Sequence, residues 1–120
     1  MKYTLLIYPF SSPTPDDPEA WAAFPDEHKQ EVYTGYQELA QAPGYQPGTP
    51  MAAADTATTV RMQDGQVLTT DGPFAELKEV VGGLCTIDVD DLDAAIEWAA
   101  KVPAARFGGA VEIRPEREGW

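Results

Sequence analysis

The placement of proline constrains the fold of this 120-residue chain more than any other feature of its sequence. Of its eleven prolines, four lie within residues 9–18 and three within residues 43–50. Because proline has no backbone N–H and a fixed φ, it disfavours helix interiors and central strands. Both stretches are therefore predicted to be loops, and the helices and strands should lie outside them.

The first half of the chain carries one strand pattern and one helix pattern. Residues 3–8 form an apolar run rich in aromatic and β-branched side chains, which predicts a buried strand that ends at Pro9. A helix is predicted to begin at Pro25, with acids in its first turn, and to stop at Pro43. Gly35 interrupts this helix, and we expect it to mark close packing. The apolar stripe of the helix consists of His28, Val32, Tyr36 and Leu39.

The second half predicts a hairpin, a strand, a helix and a last strand. Residues 58–62 and 67–70 are joined by Asp64-Gly65, a dipeptide typical of tight hairpin turns. Residues 84–89 alternate again, and a helix capped by Asp90 or Asp91 should follow and run through Lys101. The last strand is predicted over residues 110–114. On the strand, Cys85, Ile87 and Val89 should point to one face and Leu84, Thr86 and Asp88 to the other. The inner face of the helix is predicted to consist of Leu92, Ala95, Ile96 and Ala99.

The order of these elements predicts the fold class. Strand, helix, hairpin, strand, helix and strand correspond to a ferredoxin-like β-α-β-β-α-β unit, an α+β fold with both helices on one face of an antiparallel sheet. The first strand is apolar on both of its faces, with Leu5 and Ile7 on one side and Leu6 on the other. Burial on two sides in so small a domain predicts a homodimer in which one sheet face packs against the other.

Charge and cysteine content exclude several classes of protein. Eight Lys and Arg against twenty Asp and Glu give a net charge of −12, which argues against direct binding of nucleic acid. No apolar run approaches the roughly 20 residues of a membrane helix. The single cysteine, Cys85, excludes an internal disulfide and a four-cysteine zinc site. We expect no metal or other cofactor, and, without a recognisable export signal, a cytoplasmic location.

One block of sequence carries a family resemblance. Residues 71–79 read Asp-Gly-Pro-Phe-Ala-Glu-Leu-Lys-Glu, which resembles the signature of the DGPF-domain branch of the YCII-related proteins, where threonine is usual at the position of Leu77. Similar residues recur at 3–8, 59–61, 64–65, 82–83, 87–90, 95–99, 103–105 and 109–115. The segment 11–18 is identified as a Pro-rich insertion, and residues 44–51 replace a pattern that usually reads Gly-Gly-Glu. The resemblance implies one domain over residues 1–120 and a ferredoxin-like fold that pairs as a dimeric α+β barrel.

The same resemblance implies little about activity. Members of the family are mostly of unknown function, and some are linked to sigma-factor-type transcriptional regulators. A related YCII branch includes a dehydrochlorinase, in which a histidine and an aspartate form the suspected catalytic pair.

Two residues of this chain are candidates for acid–base chemistry. Asp71 begins the signature block at the predicted end of a strand, where its carboxylate could face a cleft and act as a general base. The alternative is that Asp71 holds its own Gly-Pro turn through backbone hydrogen bonds. His28, the only histidine, lies on the apolar stripe of the first helix and could pair with Asp71. Its alternative role is packing at the edge of the core.

Other side chains are candidates for ligand binding. An aromatic wall around a small-molecule pocket is predicted from Tyr3, Tyr8, Tyr33, Tyr36 and Phe74. The same aromatic side chains would also suit an ordinary core or dimer interface. Arg114 could anchor an anionic ligand, or it could pair with Glu112 or Asp88 on the sheet.

Two functions therefore stay open from the sequence. The first is a homodimeric small-molecule-binding protein with cofactor-independent acid–base chemistry of the lyase or isomerase type. The second is a non-catalytic regulatory or interaction protein associated with sigma-factor-type transcriptional regulation.

Overall fold

The computed structural model of the chain describes residues 1–10, 12–15, 17–72 and 81–119. The helices are α1 (Pro18–Ala23), α2 (Asp26–Leu39), α3 (Leu92–Ala99) and α4 (Pro103–Arg106), with one short 3₁₀ turn at Ala54–Thr56. The strands are β1 (Lys2–Tyr8), β2 (Gln46–Pro47), β3 (Thr58–Gln63), β4 (Gln66–Asp71), β5 (Gly83–Asp88) and β6 (Ala110–Pro115). None of the helices in the described ranges is long and apolar enough to cross a membrane.

The main sheet has four strands in the order β2-β5-β1-β6, and every neighbouring pair in it is antiparallel. The first strand of the chain therefore lies in the middle of the sheet, between a later strand and the last one. Together with the two long helices α2 and α3, this is the ferredoxin-like arrangement, and the α+β prediction is confirmed. The pairing of two such sheets into a dimeric barrel stays a prediction.

Two details of the strand assignment were wrong. The predicted hairpin forms, but β3 and β4 make a two-stranded sheet of their own instead of joining the main one. The second strand of the main sheet is instead β2, inside a Pro-rich stretch predicted to be a loop. Proline is tolerated there because an edge strand has one side on which no ladder hydrogen bond is needed. The turn of the hairpin follows the prediction, with positive φ at both Asp64 and Gly65.

The Pro-rich stretch near the N-terminus also differs from the expected loop. Its last proline, Pro18, opens α1, and the Asp17 side chain accepts a hydrogen bond from the Ala20 N–H at 3.1 Å. Proline is well suited to the first position of a helix because the N–H that it lacks has no partner there. The sequence rule that reads clustered prolines as a loop therefore missed a short helix that begins with one.

The core lies between one face of the main sheet and the helices. On the sheet side it contains inward-pointing residues of β1 and β5, of which Leu5 is fully buried and pairs with Cys85. The helix side contributes Leu39 from α2 and Ala95 and Ala99 from α3. The alternation predicted for the strand at 84–89 is confirmed, since Cys85, Ile87 and Val89 are all buried.

The inner face of α3 is narrower than predicted. Of the two predicted caps, Asp91 is the one that the structure has: its side chain accepts a hydrogen bond from the Ala94 N–H at 2.9 Å. Leu92 and Ile96, however, are 51% and 48% exposed. The helix thus buries Ala95 and Ala99, which permit close approach to the sheet, and leaves Leu92 and Ile96 on its flank.

Gly35 marks a close contact between α2 and α4. A Cβ atom at this position would lie 2.7 Å from Cγ of Pro103, closer than real Cβ contacts. We expect Gly35→Ala to lower the free energy of unfolding by about 1 kcal/mol or more, because overpacking outweighs the gain in helix propensity. Urea denaturation should show this, whereas Gln37→Ala on the exposed side of the same helix should stay within about 0.5 kcal/mol of the parent. A more stable Gly35→Ala variant would contradict the packing described here.

Candidate functional site

A cleft of about 800 Å³ opens beside the inner part of α2. The segment before α1 forms one side of it, including Pro9, Pro13 and Pro15, and α1 adds Trp21. Residues 48–54 and the start of β5 close the other sides. The cleft therefore owes one of its walls to the Pro-rich stretch that the sequence analysis treated as an insertion.

Five aromatic side chains contribute to the described wall of the cleft. They are Phe10, Trp21, Tyr33, Tyr36 and Tyr45. Three of them are held by ring contacts: the Trp21 and Tyr33 rings meet in an edge-to-face arrangement at 6.3 Å between centroids, and Phe10 stacks on Tyr8 at 6.0 Å. Such contacts fix ring orientations and leave the remaining faces to a ligand.

The polar groups in the described wall are few and mostly uncharged. They comprise the Ser12 and Thr14 hydroxyls, the tyrosine phenols, the Cys85 thiol and the Asp17 carboxylate. Burial raises the pKa of the Cys85 thiol. The pKa of Tyr36 is raised first by burial and then by the neighbouring Cys85 and Tyr45. The thiol and the Tyr36 phenol are therefore neutral at physiological pH, and a thiol so protected is a poor nucleophile.

His28 lies in an aromatic cluster outside the described wall of the cleft. Its ring centroid is 5.3 Å from that of Phe24 and 5.2 Å from that of Phe107. The carboxylate that it approaches is Glu27, with 3.9 Å between Nε2 and Oε1. The cluster connects the end of α1 with α2 and with the residue that follows α4. These are packing contacts between rings, and the catalytic role of His28 stays a prediction.

Asp71 is an exposed residue at the end of β4, opposite Thr58 on β3. The start of its turn is held by other groups: the Gly72 N–H donates to the Ala57 carbonyl at 2.7 Å, and the Thr59 hydroxyl donates to the Gly72 carbonyl at 2.8 Å. Within the described part of the chain, no group donates a hydrogen bond to the Asp71 carboxylate. No hydrogen bond or ion pair joins Asp71 to His28, so one chain does not assemble the predicted pair.

The structure brings only part of the predicted ligand set to the cleft. Tyr36 contributes to the wall, and Tyr8 supports it through Phe10. Tyr3 is buried in the core, where its hydroxyl lies 3.6 Å from Sδ of Met1. Phe74 lies outside the described residues. Arg114 approaches Glu112 at 3.4 Å, the pairing that was weighed against anion binding.

Several residues of the wall were not among the predicted site candidates, and they include Trp21, Tyr45 and Cys85. Trp21 was overlooked because it follows a stretch assigned to a loop, although its helix begins at a proline in the expected way. Strand alternation places Cys85 on the same face as Ile87 and Val89 but does not indicate a ligand site, and in the structure Cys85 belongs to both the core and the cleft wall. Tyr45 has no local signal, since its position depends on the short edge strand β2.

Metal binding finds no support in the ranges described: no group of three or more His, Cys, Asp or Glu side chains is placed to hold an ion.

The buried thiol and phenol predict a loss of stability in alkali. Both groups have a higher pKa in the folded chain than when unfolded, so the folded state retains their protons over a range in which the unfolded state releases them. The free energy of unfolding should therefore be fully maintained below the ordinary thiol pKa of about 8.5 and fall as the pH rises above it. Urea denaturation at a series of pH values should show a shallower fall in Cys85→Ser than in the parent. Identical slopes in the two proteins would contradict the assignment.

Comparison with known proteins identifies the family of the chain. The sequence model of the YCII-related domain family matches residues 1–118. A protein of Rhizobium meliloti (strain 1021), described only as uncharacterized, is 32% identical over 117 residues, which cover 96% of this chain and 91% of the relative. The match extends through the Pro-rich wall, the hairpin and the signature block, and the chain belongs to the YCII-related domain family.

Proposed function

We propose that this YCII-related protein is a homodimer that binds a small, largely apolar molecule in the cleft beside α2. The observation that carries the proposal is the cleft itself. Its volume of about 800 Å³ falls within the roughly 300–1,000 Å³ typical of small-molecule sites. Aromatic walls with a few hydrogen-bonding groups are also the usual composition of such sites.

The character of the wall supports binding more directly than catalysis. General acid–base chemistry is most efficient when the pKa of the catalytic group lies near the working pH. Burial moves the pKa of both Cys85 and Tyr36 in the opposite direction, upward from values already above neutral. The carboxylate in the described wall, Asp17, caps α1 through Ala20. These groups are suited to orient a ligand by hydrogen bonds.

The enzymatic form of the proposal assigns acid–base chemistry of the lyase or isomerase type to Asp71, assisted by His28. Asp71 has the exposure that a base needs to reach a substrate. Because the two side chains do not meet in one chain, the pair would require contact between subunits. The non-catalytic form is a regulatory protein, associated with sigma-factor-type transcriptional regulation, that uses the cleft as a sensor site. This non-catalytic form is favoured because Asp71 and His28 are not paired within one chain.

The dimer is supported by the sheet face that carries no helices. Its residues alternate with the core residues of the same strands: Thr4, Leu6 and Tyr8 on β1, Leu84, Thr86 and Asp88 on β5, and Ala110, Glu112 and Arg114 on β6. The molecule is only 18 Å thick along its shortest axis, which corresponds to one layer of sheet and one of helices. A second copy packed on this face would bury Leu6 and complete a sandwich.

The hairpin supports the same conclusion. Val60, Met62 and Val67 share one face of the β3–β4 sheet and are 60%, 65% and 63% exposed. A two-stranded hairpin is at best marginally stable alone in water, and it gains stability when an apolar face is covered. We therefore include this hairpin face in the proposed contact between subunits.

Ligand binding is tested by a thermal-shift screen with small aromatic acids, phenols, lactones and aromatic amines. A compound present at 100 times its Kd should stabilise the protein by about 2.7 kcal/mol, a clear shift for a domain of this size. Ala53→Trp places bulk on the exposed part of the wall and should abolish the shift, whereas Ala22→Trp, outside the wall, should retain it. Shifts that survive in Ala53→Trp would contradict binding in this cleft.

The same screen separates the two forms of the proposal. Asp71→Asn should bind cleft ligands as the parent does, because Asp71 is not part of the described wall. If that variant remains folded but no longer binds any of the ligands, Asp71 belongs to the site and the enzymatic form of the proposal is supported. If ligand binding is unchanged and the protein converts none of the bound compounds, the sensor form of the proposal is supported.

The dimer is tested by light scattering coupled to gel filtration. The parent should have twice the 13.0 kDa mass of one chain. Leu6→Glu places a charge on the bare sheet face and should shift the protein toward the monomer, and Met62→Glu on the hairpin should do so independently. Gln37→Glu on the exposed side of α2 adds the same charge and should leave the mass unchanged. A monomeric parent would overturn the dimer.

A further inference from the structure

The cleft has an unusual balance of charge for a ligand site. Asp17 is the only charged side chain in its described wall, in which no Lys, Arg or His occurs. The carboxylate accepts the Ala20 N–H through Oδ1 at 3.1 Å, and its second oxygen accepts no hydrogen bond from the described residues. The chain as a whole carries a net charge of −12. An anionic ligand would find no counter-charge in this wall and would approach against a repulsive field.

The aromatic rings of the wall also favour a cationic ligand over an anionic one. The face of an aromatic ring carries partial negative charge and attracts a cation within about 6 Å of the ring centroid. Phe10, Tyr33 and Tyr36 are 40%, 55% and 39% exposed, so their rings offer surface to a ligand. Aromatic surfaces of this kind are the usual means by which proteins bind quaternary ammonium groups.

One ring of the wall already has an ammonium group close to it in the folded chain. Nζ of Lys29 lies 5.8 Å from the centroid of Trp21, which belongs to the wall. The charge of Lys29 is countered by Asp26, whose carboxylate is 3.6 Å away. A second lysine, Lys101, lies 4.4 Å from the ring centroid of Trp98 elsewhere on the surface.

We propose that the cleft selects hydrophobic organic cations, molecules with an aromatic or alicyclic body and a single ammonium group. This inference rests on the proposed function and specifies its ligand class. The apolar body fills the space between α2 and the Pro-rich segment. The ammonium group lies against the faces of Tyr33 and Tyr36, and Asp17, which lines the same cleft, is the carboxylate that balances its charge.

A matched set of three probes tests the proposal by isothermal titration calorimetry. Para-hydroxyphenyltrimethylammonium carries the cation, para-tert-butylphenol has the same shape without charge, and para-hydroxybenzoate carries an anion. The cation should bind about 3- to 30-fold more tightly than the neutral phenol, the range expected when a cation rests on aromatic faces. Added salt should weaken binding of the cation but not that of the neutral phenol. The anion should bind most weakly of the three.

Two charge variants locate the effect. Asp17→Asn retains a good cap for α1 and removes the charge, and it should reduce the preference for the cation over the neutral phenol. Asp93→Asn makes the same change in the first turn of α3, away from the cleft, and should leave the preference intact. Equal losses in the two variants would assign the effect to net charge instead of to the cleft.

Failure of the inference can be distinguished from failure of the proposed function. If the neutral phenol binds as tightly as the cation, or the anion binds best, the cleft binds small molecules but does not select cations. If the cation does not bind while compounds of the screen still stabilise the protein, the selectivity for cations is refuted and the proposed ligand binding stands. If neither the probes nor the screen gives binding that Ala53→Trp abolishes, the proposed function falls with it.

Discussion

Strand β1 holds the main sheet together, because it forms hydrogen-bonded ladders with both β5 and β6. Its central position makes one set of its side chains, represented by the fully buried Leu5, the floor of the core. The helices α2 and α3 have somewhere to pack only because this floor is apolar and continuous across three strands. The position of the cleft follows in turn, since its inner wall includes Ile7 at the end of β1 and Cys85, the neighbour of Leu5 on β5.

Elements with strong local patterns could be predicted from the sequence. The alternation in β5, the Asp91 cap of α3 and the Asp64-Gly65 turn each depend on a few adjacent residues, and the structure has all of them. Two features could not be predicted in this way. The edge strand β2 is two residues long and exists because β5 offers it a partner, and α1 is a single short helix whose start resembles a loop. Tertiary contacts decide both.

In the candidate site, too, some residues could be predicted from local pattern and others depend on tertiary contacts. Tyr36 was predicted to line a pocket because helical spacing places it toward the sheet, and it does contribute to the cleft. Pairing of His28 with Asp71 would have required knowledge of where the hairpin projects. The strands β3 and β4 form a sheet of their own, and Asp71 lies at the end of that sheet. His28 lies among the rings of Phe24 and Phe107 instead. A distance between residues on independent units cannot be inferred from spacing along the chain.

The prolines in the cleft wall have a consequence for the thermodynamics of recognition. Pro9, Pro13, Pro15 and Pro50 contribute four rigid rings to a surface that would otherwise be ordinary loop. Each fixes one backbone dihedral before any ligand arrives, so less conformational entropy remains to be lost on binding. The same residues lack backbone N–H groups, and a ligand finds few main-chain donors there. Recognition at this wall should therefore depend on shape and ring contacts, with a negative heat-capacity change as its signature.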